Sequence, residues 1–312
     1  MPGVAHWDDG QPYRRERGHL AGTWYDLGTI AGSVTVGVKR IQVDPGRWST
    51  PAHTEGSEEE IFFVLSGSGV SWQFDGESGA AYPVREGDCL VHLALADAHT
   101  LRAGPEGLDV LAFGQRSYAD AVTYLPRAGV AWLGQTWTLV GGEANHPWSR
   151  EAAVGEPEVG ELMERPATIV NLGDVEPVVR EHGEARFSER DFGRAAGSLR
   201  TGISHVTIPP GRTGWPPHCH SAEEELFVVL DGEGVVVLGD EEHPVRRGSV
   251  IARPAGTRVA HSFGAGDREL AYLAYGTREP NDIAYYPRSQ KVSFRGVGVM
   301  TRLEQLDYWD GE

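Results

Sequence analysis

The sequence predicts an all-β chain of two tandem barrels or sandwiches built from one duplicated unit. Three observations carry this. First, SEEEIFFVLSGSGV at 57–70 and AEEELFVVLDGEGV at 222–235 are the same segment, 165 residues apart. Five further pairs follow in the same order at offsets of 161 to 165, among them AGSVTVG with AGSLRTG, YPVREGD with HPVRRGS and TYLPR with AYYPR. Ordered matches with small drifts in offset mark a tandem duplication whose loops differ in length. Second, the apolar segments are short and bounded by Gly, Pro or Asp, and helical periodicity is weak. Third, 41 Gly and 19 Pro among 312 residues supply the punctuation that many short strands need.

The elements follow in order. The first unit, 1–140, offers EIFFVL, VSWQF, CLVHLAL and DVLAF as strands, with SGSG as turn chemistry. The segment 141–167 is rich in Gly, Pro and Glu and reads as the connection, with a short helix candidate at Glu151–Ala153. The second unit, 168–312, offers ELFVVL, VVVL, SVIA and ELAYLAY, with DGEG as a turn and a second short helix candidate at Asn281–Tyr285. VSFRGVGVM at 292–300 reads as an added strand, and the acidic, aromatic tail LEQLDYWDGE is expected to be ordered over a barrel edge of the other repeat or of a second subunit.

Charge and cysteine content narrow the function. Asp and Glu total 45 against 28 Lys and Arg, a net charge of −17, which disfavours nucleic acid or an anionic membrane as partner. No window approaches 18 apolar residues, and the start MPGVAHWDDG lacks a charged-then-apolar signal. Cys89 and Cys219 fall at non-equivalent positions, so a structural disulfide is not expected and a reducing cytoplasm fits.

The ionisable residues cluster in front of the strand ELFVVL. In an extended chain His218 and His220 face one side and Cys219 the other. Glu225 opens the following strand, and His261 comes from a later one. Three imidazoles and one carboxylate converging inside a barrel form a ligand set for a divalent transition metal with open positions. Glu223 and Glu224 read as a solvated turn, Cys219 as a wall residue, His205 and His243 as surface or packed side chains, and Trp215 and Phe227 as packing.

In these motifs the chain resembles the bicupins, proteins with two cupin barrels. The first cupin motif is filled by Gly211, His218, His220, Glu225 and Gly232, with a spacer after Gly211 one residue longer than usual. The second is filled by Gly248, Pro254, Gly256 and His261, with two extra residues before the histidine. The resemblance covers roughly 30–125 and 195–288. It implies a double-stranded β-helix in each half and a metal held by His218, His220, Glu225 and His261, with sites left for water or substrate. The first copy departs from the pattern. His53, Glu60 and His99 align with His218, Glu225 and His261, but Glu55 replaces the second histidine and ALAD replaces the Pro-Ala-Gly turn. Such a set still suits a second, harder metal, held more weakly. His92, at the position of Arg253, is either a substitute ligand or a packed ring.

The resemblance implies an enzyme acting on a small organic molecule. The leading expectation is an Fe(II)- or Mn(II)-dependent oxygenase centred on the second barrel, with Glu225 as the ligand able to loosen and take a proton. The alternatives are a metal-dependent decarboxylase, isomerase or lyase, with Mn, Zn or Ni as metal, and a non-catalytic bicupin that binds a small ligand. A decarboxylase needs a substrate-facing arginine, for which Arg212, Arg253 and Arg258 are the candidates. Family analogy adds a homodimer.

Overall fold

In a computed structural model of the chain, residues 3–116, 122–133 and 146–311 are described, those at 132–133 by backbone only. They form two barrels sharing one core. The apolar runs at the two motif strands are continuous rather than alternating because both of their faces are buried. In the strand Glu60–Phe74, Phe62 and Val64 point into the first barrel, while Ile61 and Phe63 point into the core between the barrels. In Glu225–Asp231, Phe227 and Val229 fill the second barrel, while Leu226 and Val228 meet the same shared core. Val36, Val38, Leu111 and Phe113 from one side and Phe192, Ile203, Val250 and Leu273 from the other complete that core.

Each barrel has one large sheet. The first orders its strands Ile169–Asn171, Asp88–His92, Glu60–Phe74, Ala98–Gln115, Val36–Val43, Leu20–Asp26 and Pro12–Arg17. The second orders them Val4–His6, Ser249–Arg253, Glu225–Asp231, Leu270–Thr277, Thr201–Ile208, Ala185–Asp191 and Val178–His182. The outermost strand of each sheet is exchanged. Val4–His6, from the start of the chain, pairs antiparallel with Ser249–Arg253 of the second barrel. Ile169–Asn171, just past the connection, pairs antiparallel with Asp88–His92 of the first. The expected divisions at 140 and 168 follow the chain, whereas the sheets cross them, because each short strand covers a backbone edge in the opposite barrel.

Several local expectations are corrected. SGSG is not a hairpin turn: the strand Glu60–Phe74 runs through it, with its register against Ala98–Gln115 shifting around Val64–Ser66 and Gly67–Gly69. The DGEG glycine does break the strand. Gly232 sits at φ +79°, and a Cβ there would run into the Glu269 carbonyl oxygen, so only glycine fits. Asn281–Tyr285 is not helical; Ile283–Tyr286 is a strand pairing with Cys219–His220, which satisfies the backbone beside the motif histidines. The connection carries a helix at Pro147–Val154, longer than expected, capped at its start by His146; residues 141–145 lie outside the described part. Two short helices that the periodicity did not show, Leu27–Ala31 and Phe192–Ala195, are N-capped by Asp26 and Asp191 at matching positions of the repeat. The expected tail strand is two strands, Lys291–Phe294 and Val299–Arg302, added to Ile283–Tyr286. Beyond them, Leu306, Tyr308 and Trp309 are 66%, 86% and 72% exposed, so among the described residues these side chains cover no edge of this chain.

Candidate metal centres

The second barrel gathers the expected residues. Donor atoms of His218, His220 and Glu225 lie within 4.8 Å of one another. His261 joins them through the backbone bridge it makes with His218, which sets the two rings 4.6 Å apart. Glu225 Oε2 stands 3.0 Å from His261 Nε2 and 3.4 Å from His220 Nε2.

The local chain fixes which nitrogen each ring presents. His218 Nδ1 lies 2.9 Å from the Pro216 carbonyl oxygen, which can only accept, so Nδ1 carries the proton and Nε2 offers its lone pair inward. His220 Nδ1 donates to Asp282 Oδ2 at 2.6 Å, which turns its Nε2 toward Glu225. Asp282 is itself clamped, its other oxygen accepting from the backbone N–H groups of Ser221, Ala222 and Glu223. Tyr286 stacks on the His218 ring at 5.6 Å.

Glu223 and Glu224 are not a solvated turn. Glu223 is buried, 3.7 Å from His220 Nδ1 and 2.9 Å from Arg295 of the tail, and accepts from the Glu279 N–H. Glu224 is buried against the first barrel, accepting from the N–H groups of Val34 and Thr35 and from the Thr35 hydroxyl. Cys219 and Cys89 are buried free thiols. Of the candidate arginines, Arg253 is buried and donates to Thr257 and the Val259 carbonyl, while Arg212 donates to the Gly183 carbonyl at the surface.

The electrostatics suit a cation. Burial opposes charge on Glu225, but His261, His220 and His218 outweigh it and hold the carboxyl below the usual range. Burial, with the neighbouring His261, pushes His218 down to about 4, so it is neutral and able to ligate. Burial also opposes charge on His220, yet its bond to Asp282 and the charge of Glu225 raise it. Despite the short approaches, His220 Nε2 and Glu225 Oε2 are buried with no well-aligned hydrogen-bond partner among the described residues. Buried imidazole and carboxylate lone pairs converging on one point are the donor set a divalent cation takes, so the residues fit one.

The first barrel differs as its sequence suggested. His53, Glu60 and His99 bring donor atoms within 4.8 Å of one another. Glu60 Oε2 is 2.8 Å from His99 Nε2, as a hydrogen bond, and 3.4 Å from His53 Nε2. Here the approach of carboxylate to ring is shorter than the 3.0 Å of Glu225 to His261. Burial works against a charge on His53, but the bond and charge of Glu60, helped by Glu55, push it up to about 9. Glu55 stands 3.8 Å from His53 Nε2 and is tied back by the Thr123 hydroxyl at 2.7 Å. Burial raises its carboxyl. His92 packs as a ring, stacked on His99 at 3.7 Å and 7°.

The residues missed from sequence are Asp282, 62 positions from its partner His220, and Tyr13, Arg15, Trp24 and Trp148, which line a cavity of about 420 Å³ in the first barrel. That cavity exposes His53, Glu55 and Glu60 together with Tyr13, Arg15, Trp24 and Trp148.

Comparison with known proteins now defines the class. The cupin domain family matches at residues 39–101 and 204–275, once in each repeat, and the chain belongs to the cupins as a bicupin. Among solved structures it is similar to the oxalate decarboxylase of Lactobacillus farciminis in its formate complex, 16% identical, with a TM-score of 0.60 over 88% of this chain and 86% of that one. The oxalate decarboxylase of Bacillus subtilis at pH 4.6 gives 17% identity and a TM-score of 0.61 over 87% of this chain and 75% of that one. A structure from work on the Mn(II) centres of the same Bacillus enzyme gives 16% and 0.60 over 87% and 76%. At these identities the likeness establishes the fold. No curated protein matches the sequence.

Proposed function

We propose that this bicupin is a metal-dependent enzyme of the decarboxylase or lyase type, acting on a small carboxylic acid. His218, His220, Glu225 and His261 would hold its ion. One observation carries the reading: the Glu225 carboxylate, with an unmatched oxygen among three imidazoles, belongs to a side chain still 23% exposed. A purely structural site is closed, whereas a catalytic one keeps a reachable position. That exposure favours an enzyme over a non-catalytic ligand-binding bicupin. Bound there, a divalent ion supplies a Lewis acid for the substrate's carboxylate oxygens. The chain's own residues orient the rings through Asp282 and Pro216, keep Glu225 ionised, and leave it facing the entering acid as the group that takes a proton.

The similarity to oxalate decarboxylases supports this class over the oxygenase expected from the motifs, and work on Mn(II) centres in one of them favours manganese among Fe, Mn, Zn and Ni. A second ion in the first barrel, on His53, Glu60 and His99 with Glu55 beside them, belongs to the same proposal. The net charge of −17 supports a small-molecule partner rather than nucleic acid or membrane, and among the described residues no helix is long and apolar enough to cross a membrane. The two free buried thiols support a reducing, cytoplasmic setting, and the exposed apolar tail supports a homodimer.

The test is elemental analysis of protein purified without added metal, with CO₂ release and O₂ uptake followed over a panel of small acids that includes oxalate. Wild type is expected to carry metal and release CO₂ without consuming O₂ in proportion to substrate. The His218→Ala/His220→Ala variant is expected to lose the second barrel's equivalent of metal, and CO₂ release with it. Unchanged metal content in that variant overturns the site, and O₂ uptake matching substrate loss restores the oxygenase.

A further inference from the structure

The cavity of the first barrel is more than a weaker copy of the second centre. Its lining combines the acids Glu55 and Glu60 with the aromatic rings of Tyr13, Trp24 and Trp148. Trp148 comes from the helix Pro147–Val154 of the connection and packs edge-on against Trp24 at 5.4 Å. The Arg15 guanidinium lies 5.5 Å from the ring centres of both Tyr13 and Trp148.

Arg15 is unlike its neighbours. Arg14 is paired with Asp44 at 2.6 Å, and Arg116, which also lines the cavity, with Asp26 at 3.2 Å. No carboxylate among the described residues pairs with Arg15. The second barrel lacks the arrangement. By strand register, Val178 stands where Tyr13 does, Glu189 where Trp24 does, and Arg180, at the Arg15 position, faces Glu189 at 3.8 Å.

The geometry points to a binding site for an aromatic monocarboxylate in the first barrel, with the ring against Trp24 and Trp148 and the carboxylate on Arg15. A guanidinium held by two rings keeps its planar fork free for a carboxylate, and the fork matches that anion with two parallel hydrogen bonds. Aromatic walls take a flat ring in edge-to-face or offset contact. The volume of about 420 Å³ falls in the range of pockets that enclose whole organic ligands rather than a two-carbon acid. This site goes beyond the metal reading and does not depend on the ion of the second barrel.

Phenylacetate is the probe, titrated into the full chain and followed by tryptophan fluorescence and by calorimetry. Phenylacetamide, its neutral counterpart, and oxalate serve as comparisons. Saturable binding of phenylacetate is expected, about tenfold or more tighter than phenylacetamide or oxalate. Arg15→Met is expected to remove that preference for the charged ligand, and His218→Ala/His220→Ala to leave the phenylacetate affinity unchanged even though it strips metal from the second barrel. The absence of saturable phenylacetate binding, equal affinity for phenylacetamide, or tighter binding of oxalate overturns the site. If Arg15→Met fails to fold, the comparison of the three ligands on wild type decides alone.

Discussion

Glu59 and Glu224 occupy equivalent positions in the two barrels, and each carboxylate is bonded to the loop of the opposite barrel. Glu224 accepts from the N–H groups of Val34 and Thr35 and from the Thr35 hydroxyl. Glu59 accepts from the N–H groups of Leu199, Arg200 and Thr201 and from the Thr201 hydroxyl, with the Ser198 hydroxyl 2.8 Å away. The repeated segments AGSVTVG and AGSLRTG thus dock reciprocally, each on the glutamate of the other barrel.

Glu59→Gln should therefore loosen the joint between barrels. The amide replaces a charged acceptor with one neutral oxygen and brings an N–H₂ against N–H donors. We expect a loss of about 3 kcal/mol at neutral pH, read from denaturant unfolding. The sign with pH follows. Burial works against the charge on Glu59, but its backbone and hydroxyl donors outweigh it and lower its folded value. The stabilisation is complete above the unfolded glutamate value of about 4.3 and is lost as pH falls through the lower folded value. Wild type should lose more stability than Glu59→Gln on acidification from pH 5 to pH 3. Parallel curves would show that the carboxylate charge is not what holds the joint.

Asp282 should govern metal retention without being a ligand. It holds the His220 ring through Nδ1 and is fixed in turn by three backbone N–H groups. Loss of such an outer partner typically weakens a metal site about 10- to 100-fold. Asp282→Asn keeps the shape but offers a neutral partner to His220. Competition with a chromogenic chelator should show metal leaving this variant at correspondingly lower chelator concentration, with unfolding by denaturant little changed. Equal retention in variant and wild type would reduce Asp282 to a backbone cap.

What was legible in the sequence was whatever repeats or keeps fixed spacing. The four ligands of the second barrel sit in two motifs, and the duplication carried the fold to both halves. What was not legible depends on contacts across the chain. Glu224 looks like one more acid in a solvated run, because its partners Val34 and Thr35 lie 190 and 189 residues away. Asp282 sits in a segment whose local pattern suggested a short helix, and only the strand pairing of Ile283–Tyr286 with Cys219–His220 brings it under the His220 ring. The exchange of Val4–His6 and Ile169–Asn171 has no sequence signature, since a three-residue edge strand needs little pattern to pair.

Glu55→His tests how far the first barrel is from a full site. Glu55 replaces the second motif histidine, and the Thr123 hydroxyl draws it back from His53. An imidazole there would add the missing nitrogen donor and remove one carboxylate from beside Glu60. Metal content per chain should rise by up to one equivalent after loading with manganese or zinc and desalting, compared with wild type treated alike. No rise would mean that the wild-type position is already filled or that the cavity blocks the ion.

Glu151 gives the last prediction, with the opposite dependence on pH. It lies on the helix Pro147–Val154, 1% exposed, with neither carboxylate oxygen hydrogen-bonded among the described residues, 3.2 Å from Arg127 Nη1 and 4.0 Å from His19 Nε2. Burial pushes its carboxyl up to about 7, against the pull of Arg127 and His53. A group raised above its unfolded value favours the folded state when protonated. Its contribution is therefore complete below the unfolded value and lost as pH rises through the folded one, here between about pH 4 and pH 7. The raised value corresponds to roughly 3 kcal/mol across that window at one factor of ten per pH unit. Glu151→Gln forfeits the Arg127 pair at every pH but cannot titrate. Its unfolding midpoint in denaturant should therefore vary less between pH 5 and pH 8 than that of wild type, which should fall. A wild-type midpoint that holds steady or rises over this interval, with the variant following it, would show that Arg127 keeps the buried carboxylate ionised throughout.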